Sequence, residues 1–153
     1  MSMILEYSKI HAEALDPHRS NPSDAGLDVF FSPAKVEPQN IVIEPSESIL
    51  LGTGLMFGIP HGYMLEVKNR SSWAYKKKLL VGACVIDSGY EGEVMINLHN
   101  VGTQPRVIST GDKIAQLVMI PVVHFRPIET KSALYRDPLC VSKRGDGGFG
   151  STG

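Results

Sequence analysis

The stretch SILLGTGLMFGIP, residues 48–60, shows the pattern that determines the fold: short apolar runs that end at glycine or proline. Runs rich in valine, isoleucine, leucine and aromatic residues recur along the chain, with turn-forming residues between them. They are MILEYSKI, GLDVFF, NIVIEP, YMLEVKN, EVMINLHN, PRVIS and KIAQLVMIPVVHF. The sequence therefore predicts an all-β domain of roughly ten strands, folded as a sandwich, a barrel or a jelly roll.

One segment breaks this pattern. The stretch SSWAYKKK, residues 71–78, predicts a short helix that begins near Arg70 or Ser71 and carries lysines near its negative end. We expect no other helix.

The apolar pattern stops after Phe125, and the residues that follow are rich in glycine and proline. A long stretch without strands, attached to a compact domain, is usually either disordered or a functional lid. We therefore expect a β-rich core domain at residues 1–125 and a flexible C-terminal arm at residues 126–153.

Composition limits the classes of function. The 153 residues are 42% hydrophobic and 20% charged, which is typical of one soluble domain, and no apolar run is long enough to span a membrane. A formal charge of -1 argues against nucleic acid as the partner. Because the N-terminus lacks a basic region and Cys84 and Cys140 have no C-x-x-C spacing, we expect a cytoplasmic protein. If the source is viral or phage, this is the infected-cell cytoplasm.

The end of the chain, RGDGGFGSTG at residues 144–153, combines five glycines with groups that bind nucleotides. Bare backbone N–H groups, the hydroxyls of Ser151 and Thr152 and the guanidinium of Arg144 can all bind phosphate. Phe149 offers a flat face on which a base can stack. The glycines are equally typical of a flexible linker, so composition alone leaves both interpretations open.

Two internal stretches are further candidates. In NRSSWA, residues 69–74, an arginine and two serines at the start of a helix can bind an anion, although a simple serine cap has the same pattern. In VIDSGYEG, residues 85–92, a strand leads Asp87 into a Ser-Gly turn, and Tyr90 follows three residues later. Turn chemistry accounts for the aspartate and the glycine but leaves Tyr90 unexplained.

Taken in order, five stretches resemble the five motifs of the trimeric dUTPase family, and they cover nearly the whole domain. They are DAGLDVF, NRSSWA, VIDSGYEGEV, GDKIAQL and RGDGGFGSTG. The resemblance implies a jelly-roll-like β domain, the β-clip of that family. It also implies a homotrimer whose active sites lie between subunits and are covered by the C-terminal tail of a third subunit. The implied reaction is the Mg²⁺-dependent hydrolysis of dUTP to dUMP and pyrophosphate, which limits the incorporation of uracil into DNA and supplies dUMP.

The resemblance also implies roles for individual residues. Asp87 is the implied general base that deprotonates water for attack on the α-phosphorus, and Tyr90 lies under the deoxyribose. Asp28 is implied to hold waters of the magnesium shell, while the ion itself is held mainly by the triphosphate. The implied phosphate ligands of the core are Arg70, Ser71 and Gln116, and we add Ser72, which stands where the family has a glycine, as a candidate ligand. Those of the tail are Arg144, Gly150, Ser151 and Thr152, with Phe149 stacked on uracil.

Selectivity has a physical basis within this scheme. A ribose 2′-hydroxyl would meet the Tyr90 ring and find no hydrogen-bond partner there. The segment from Gly82 through Val85 to Ile86 can offer uracil a backbone N–H and a C=O, whereas cytosine presents the reverse pattern. We therefore expect UTP and dCTP to be poor substrates.

The chain departs from the family pattern at several positions. Asn69, Ser72 and Trp73 replace the Pro, Gly and Leu of the commoner second motif. Ser72 could either crowd the phosphates or give them another donor. In the third motif Cys84 replaces a glycine and Gly89 an acid.

Two other functions are compatible with parts of the sequence. The stretches RSS and IDSGYEG are also similar to the dCTP deaminases, which share the fold. Those enzymes have a glutamate at the position of Asn97, and asparagine cannot transfer protons. The other alternative is a binding protein that keeps the fold and regulates a protein partner.

Overall fold

The stretch at residues 48–60 forms two strands that meet at a Gly-Thr-Gly corner, and Gly54 in this corner has a φ of 69°. A positive φ is a conformation that glycine adopts at no steric cost. The computed structural model describes residues 3–131. Within them the chain forms eleven strands, β1 (Glu6–Lys9), β2 (Leu27–Phe30), β3 (Asn40–Ile43), β4 (Ser48–Gly52), β5 (Leu55–Gly58), β6 (Tyr63–Lys68), β7 (Leu79–Val81), β8 (Val85–Asp87), β9 (Met95–Asn100), β10 (Arg106–Ser109) and β11 (Lys113–Pro121).

The strands pair in four sheets, and every pairing is antiparallel. One sheet has the order β2-β11-β6-β8 and a second has the order β4-β9-β7. β1 pairs with β5, and β10 pairs with β3. The predicted all-β class is confirmed.

The core follows from the alternation of the strands. In β9, Ile96 and Leu98 are buried, whereas Met95 lies on the opposite, exposed face. The same alternation fills the interior with apolar side chains from many strands, among them Val29, Ile43, Leu51, Leu55, Leu65, Ile108, Ile114 and Leu117. Burial of this apolar surface is the main force that stabilises the fold.

The predicted helix is present as a short π-helical turn at Trp73–Lys77. Trp73 is its buried residue, and the ammonium group of Lys77 lies 3.9 Å from the centre of the Trp73 ring. The turn ends at Lys78, whose φ is 58°. Within residues 3–131, no helix is long and apolar enough to cross a membrane.

Contacts along the chain define two units, Met1–Val123 and His124–Gly153. All eleven strands belong to the first unit. In the second unit the described residues, 124–131, contain no strand, and the side chains of Phe125 and Ile128 are exposed. The division into a core domain and a nucleotide-covering arm stays a prediction.

Candidate active site

The residues of the first, second and fourth motifs converge on one polar cavity of about 390 Å³. The cavity is lined by Ser20, Asp24, Ala25, Gly26, Asp28, Arg70, Ser71, Ser72 and Gln116. Four of the predicted phosphate ligands and the predicted magnesium residue therefore lie together.

Asp28 is the electrostatic centre of this cavity. Its side chain is nearly buried, and both carboxylate oxygens bind cations: Arg70 Nε lies 3.0 Å from Oδ1, and Lys113 Nζ lies 2.9 Å from Oδ2. A nearly buried carboxylate needs such partners because the loss of hydration is costly. The same contacts fix the positions of two positive charges beside the cavity.

A β-bulge in β11 produces this arrangement. Lys113 and Gln116 are three residues apart, so they would face opposite sides of a regular strand. The register against β2 shifts between Lys113 and Ala115. After the shift Gln116 lies directly opposite Asp28, and the ammonium group of Lys113 reaches the same carboxylate. Bulges of this kind re-aim side chains and are frequent next to active sites.

The Gln116 side chain is held at the cavity wall. Its amide nitrogen donates a hydrogen bond to the carbonyl of Asn69 at 2.8 Å. Its amide oxygen lies so close to Gly26 that a β-carbon at that position would collide with it. Gly26 is therefore needed for close approach, and Asn69 joins the second motif to the fourth.

Ser72 of the second motif does not act as a helix cap. The backbone of Ser72 is already helical, with φ -64° and ψ -36°, and its side chain makes no capping hydrogen bond. The first turn is closed by the amides of Trp73 and Ala74, which both donate to the carbonyl of Arg70. Ser71 and Ser72 both line the cavity, which makes their hydroxyls candidate donors to an anion there. Single π-helical turns are frequent at functional sites.

The third motif builds a second cavity of about 440 Å³. It is lined by Val85, Ile86, Asp87, Ser88, Gly89, Tyr90, Val94 and Met95. Asp87 ends β8 and is exposed, and the amide of Tyr90 donates to its carbonyl at 3.2 Å. Gly89 has a φ of 87°, which lets the chain turn tightly between these two residues.

The predicted base-recognition segment lies along the edge of β6. Val85 and Ile86 pair with Glu66 and Leu65, and the Cys84 carbonyl accepts a hydrogen bond from the amide of Val67. These bonds limit the backbone groups that remain open to a base. The predicted contact with uracil stays a prediction.

Gly82 fits closely against β9. Its amide donates to the carbonyl of Asn97, and a β-carbon at Gly82 would collide with the side chains of Asn97 and His99. Asn97 itself is held by a 2.8 Å hydrogen bond to His99 Nε2 and by a 3.3 Å bond to the Ile49 carbonyl. The position of a deaminase glutamate is thus filled by an amide in a hydrogen-bonded structural role.

The two cavities lie at different ends of β6. Asp87 is paired with Met64, and Gln116 is paired with Lys68 on the other side of the same strand. Four residues of strand span about 13 Å, and the two intervening strand spacings add about 10 Å across the sheet. One chain therefore does not bring the Asp87 and Gln116 motifs into a single cavity.

Sequence reasoning missed Lys113 and Glu93, although the predicted motifs contain both. Lys113 binds Asp28, and the carbonyl of Glu93 accepts a hydrogen bond from the Tyr90 hydroxyl. Within residues 3–131, no three His, Cys, Asp or Glu side chains are grouped so that they could hold a metal ion. The predicted tail ligands Arg144, Phe149, Gly150, Ser151 and Thr152 lie outside the described residues.

The chain is similar to known proteins over nearly its whole length. The dUTPase family model matches residues 12–153. The chain is 34% identical to a deoxyuridine 5′-triphosphate nucleotidohydrolase of Hydrogenobaculum sp., with 99% of both chains covered. Its structure is similar to a dUTPase mutant of Staphylococcus bacteriophage 80alpha with dUpNHpp, with a TM-score of 0.84, 26% identity and 99% of both chains covered.

A second similar structure is that of a mutant dUTPase from phage phi11 of S. aureus, which was solved to show how that protein coordinates a structural Mg(II) ion. It has a TM-score of 0.76 and 25% identity, and the match covers 86% of this chain and 99% of that one. The family match and the relative that spans the whole chain lead to one conclusion: the chain belongs to the dUTPase family.

Proposed function

We propose that this protein hydrolyses dUTP to dUMP and pyrophosphate by attack of water on the α-phosphorus. The observation that carries the proposal is the polar cavity in which Asp28, Arg70 and Gln116 are fixed by mutual contacts next to two serine hydroxyls. An arginine held in one orientation is suited to a phosphate because its planar donors match phosphate oxygens.

The phosphate-binding step depends on charge. A triphosphate repels an approaching nucleophile, so its negative charge must be dispersed before water can attack. Arg70 lines the cavity and Lys113 contacts Asp28 beside it, and the two carboxylates that line the cavity, Asp24 and Asp28, balance these two positive charges. The donors that can disperse the charge of a phosphate here are the Arg70 guanidinium and the hydroxyls of Ser71 and Ser72, together with the metal ion that accompanies the nucleotide.

The donor set fits a magnesium ion that arrives with the triphosphate. Mg²⁺ keeps several waters and binds proteins through one or two carboxylates plus substrate phosphates, without a closed protein cage. Asp28 is the nearly buried one of two carboxylates that line the cavity, the other being Asp24, and its remaining lone pairs can accept hydrogen bonds from metal-bound water. When bound, the ion supplies charge neutralisation at the phosphate oxygens.

Asp87 is the proposed general base. Its carboxylate is exposed at the end of β8, beside the turn that carries Tyr90. A base must lie within hydrogen-bond reach of the water it deprotonates, either directly or through one water. With the sugar stacked on Tyr90, the α-phosphate is the phosphate nearest to Asp87, so water held by Asp87 is directed to that phosphorus.

The proposed active unit is a homotrimer. Asp87 and Gln116 pair with opposite ends of β6, so the two cavities of one chain are separate. A second copy can place its Arg70 cavity opposite the Asp87 cavity of the first, which completes the site. In this scheme Arg144, Gly150, Ser151 and Thr152 of a third copy bind the outer phosphate, and Phe149 stacks on uracil.

The experiment that tests the function supplies Mg²⁺ with dUTP, dCTP, dTTP or UTP in separate reactions and measures pyrophosphate and ammonia. We expect pyrophosphate from dUTP alone. Ammonia from dCTP would identify a deaminase, and no product from any nucleotide would leave a binding protein as the better account.

The site of attack is tested separately with ¹⁸O-labelled water. The proposal expects the label in dUMP and none in pyrophosphate, because the oxygen of the attacking water stays on the phosphorus that it attacks. Label in the pyrophosphate would place the attack at a different phosphorus. Analytical ultracentrifugation of the full chain tests the homotrimer.

A further inference from the structure

The turn that carries Tyr90, residues 87–94, is fastened to the Gly-Thr-Gly corner between β4 and β5. The Glu93 carboxylate accepts a hydrogen bond from the Gly54 amide at 2.7 Å. The next residue, Val94, donates from its amide to the Leu55 carbonyl at 2.8 Å. Its carbonyl accepts a 2.7 Å hydrogen bond from the hydroxyl of Thr53, which is only 1% exposed.

The Tyr90 side chain is also hydrogen-bonded to Glu93. Its hydroxyl donates a 2.9 Å hydrogen bond to the Glu93 carbonyl. The ring passes so near Gly92 that a β-carbon there would lie 2.5 Å from the hydroxyl oxygen. The ring is 48% exposed, so packing alone does not fix its orientation. Glu93 therefore connects the ring to the corner through its own carbonyl and carboxylate.

The corner is shaped to receive this carboxylate. A β-carbon at Gly52 would lie 2.7 Å from Glu93 Oε1, so the absence of a side chain at this position leaves room for the glutamate. The bond to Gly54 has an ionised acceptor and a backbone donor, and such bonds are shorter and stronger than neutral ones. Gly54 is itself fixed, because its carbonyl accepts from the amide of Ile10.

We infer that Glu93 is a positioning residue that holds the Tyr90 ring and thereby sets the discrimination between deoxyribose and ribose. The inference rests on the proposed function, in which the sugar lies on Tyr90. A ring held in one place meets a 2′-hydroxyl with carbon atoms only, and the hydroxyl loses its hydrogen bond to water. A ring that can move aside lets water or a backbone group reach that hydroxyl.

The test compares Glu93→Ala, Glu93→Asp and Glu93→Gln with the parent protein. The alanine variant removes the acceptor, and the aspartate variant shortens the side chain by one methylene group. Glutamine keeps an oxygen acceptor at the same reach. Glu91→Ala is the matched control, because Glu91 is an exposed glutamate in the same turn with no role in the proposed contacts.

The readout is the ratio of kcat/KM for UTP to that for dUTP, measured on full-length protein. We expect the ratio to rise about fivefold or more in Glu93→Ala and Glu93→Asp, the change that loss of one anchoring hydrogen bond produces. Glu93→Gln and Glu91→Ala should keep the parent ratio. A role in stability alone would lower the melting temperature and leave the ratio unchanged.

Different outcomes separate the two proposals. If the parent does not hydrolyse dUTP, the proposed function is wrong. If the parent discriminates and the ratio of Glu93→Ala stays within twofold of it, the positioning role is wrong. If the alanine variant does not fold, Glu93→Asp decides by the same ratio. Amide hydrogen exchange at residues 88–92 gives a reading without turnover, and unchanged exchange in the alanine and aspartate variants would also overturn the inference.

Discussion

Arg70 Nε lies 3.0 Å from Oδ1 of Asp28, a residue 42 positions earlier in the chain, and this contact joins the first motif to the second. Lys113 binds the other oxygen of the same carboxylate, which brings in the fourth motif. Three stretches that are distant in sequence therefore share one buried charge. The geometry of the proposed phosphate-binding cavity therefore depends on that carboxylate.

Asp28→Asn should reduce kcat/KM for dUTP by about 100-fold, the order expected when a contact residue is displaced by about 1 Å. The amide keeps the shape but leaves the cations Arg70 and Lys113 facing a neutral group. Steady-state kinetics measure the loss. Asp16→Asn is the control, since it breaks the exposed pair with Lys9, and such pairs contribute little. Equal activities of the two variants would contradict the assignment.

Asp87→Asn should abolish turnover while nucleotide binding survives. The exposed amide has nearly the same size as the carboxylate but cannot accept the proton of the attacking water. Calorimetry with dUTP should give a dissociation constant similar to the parent value, and a pyrophosphate assay should give no product. Turnover within tenfold of the parent would show that a different group is the base.

Removal of residues 144–153 should leave a folded and assembled domain with little activity. The last described strand, β11, ends at Pro121, so the deletion leaves all eleven described strands intact. Circular dichroism should show unchanged strand content, and the melting temperature should stay close to the parent value. Unfolding of the shortened chain would show that the tail is structural.

Alkylation of Cys84 by N-ethylmaleimide should inhibit dUTP hydrolysis, and dUTP should protect against it. The thiol is exposed and lies in the segment of residues 82–86 that is predicted to contact the base. The experiment uses a Cys140→Ser background, so that Cys84 is the thiol under test. Cys84→Ala in that background should be insensitive to the reagent. Full activity after complete alkylation would place the base elsewhere.

Asn100→Ala should destabilise the domain by about 2–3 kcal/mol, since a buried polar group left without a partner costs about 1–3 kcal/mol. The Asn100 side chain donates to the carbonyls of Ile43 and Gln104 and accepts from the amide of Gly102. Urea unfolding measures the change. Asn40→Ala on the exposed face of β3 should change stability by less than about 0.5 kcal/mol.

Local pattern was enough to predict the helix and ten of the eleven described strands, all except β7. The run at residues 48–60 gave β4 and β5 because the period of alternation and the position of its glycines depend on neighbours in the chain. The turn at Trp73–Lys77 followed from a change of composition over eight residues. Its π-helical form was not predictable from composition, which does not distinguish one kind of helical turn from another.

The role of Lys113 could not be predicted from local pattern. A lysine three residues before Gln116 should face the other side of a strand, and only the bulge against β2 reverses this. Likewise, nothing near Glu93 in sequence indicates that its carboxylate binds the amide of Gly54, which lies 39 positions away. Both contacts depend on sheet register, which is a property of the whole fold.

The Gly-Thr-Gly corner has a consequence for how this protein can change. Thr53 closes a turn between two sheets, and the residues on either side of it contact Glu93, in the segment that is proposed to support the sugar. A mutation at residues 52–54 would alter tolerance to heat and choice of nucleotide at the same time. Selection for one property at this corner is therefore also selection on the other, and a more heat-resistant variant is easier to obtain by changes elsewhere in the domain.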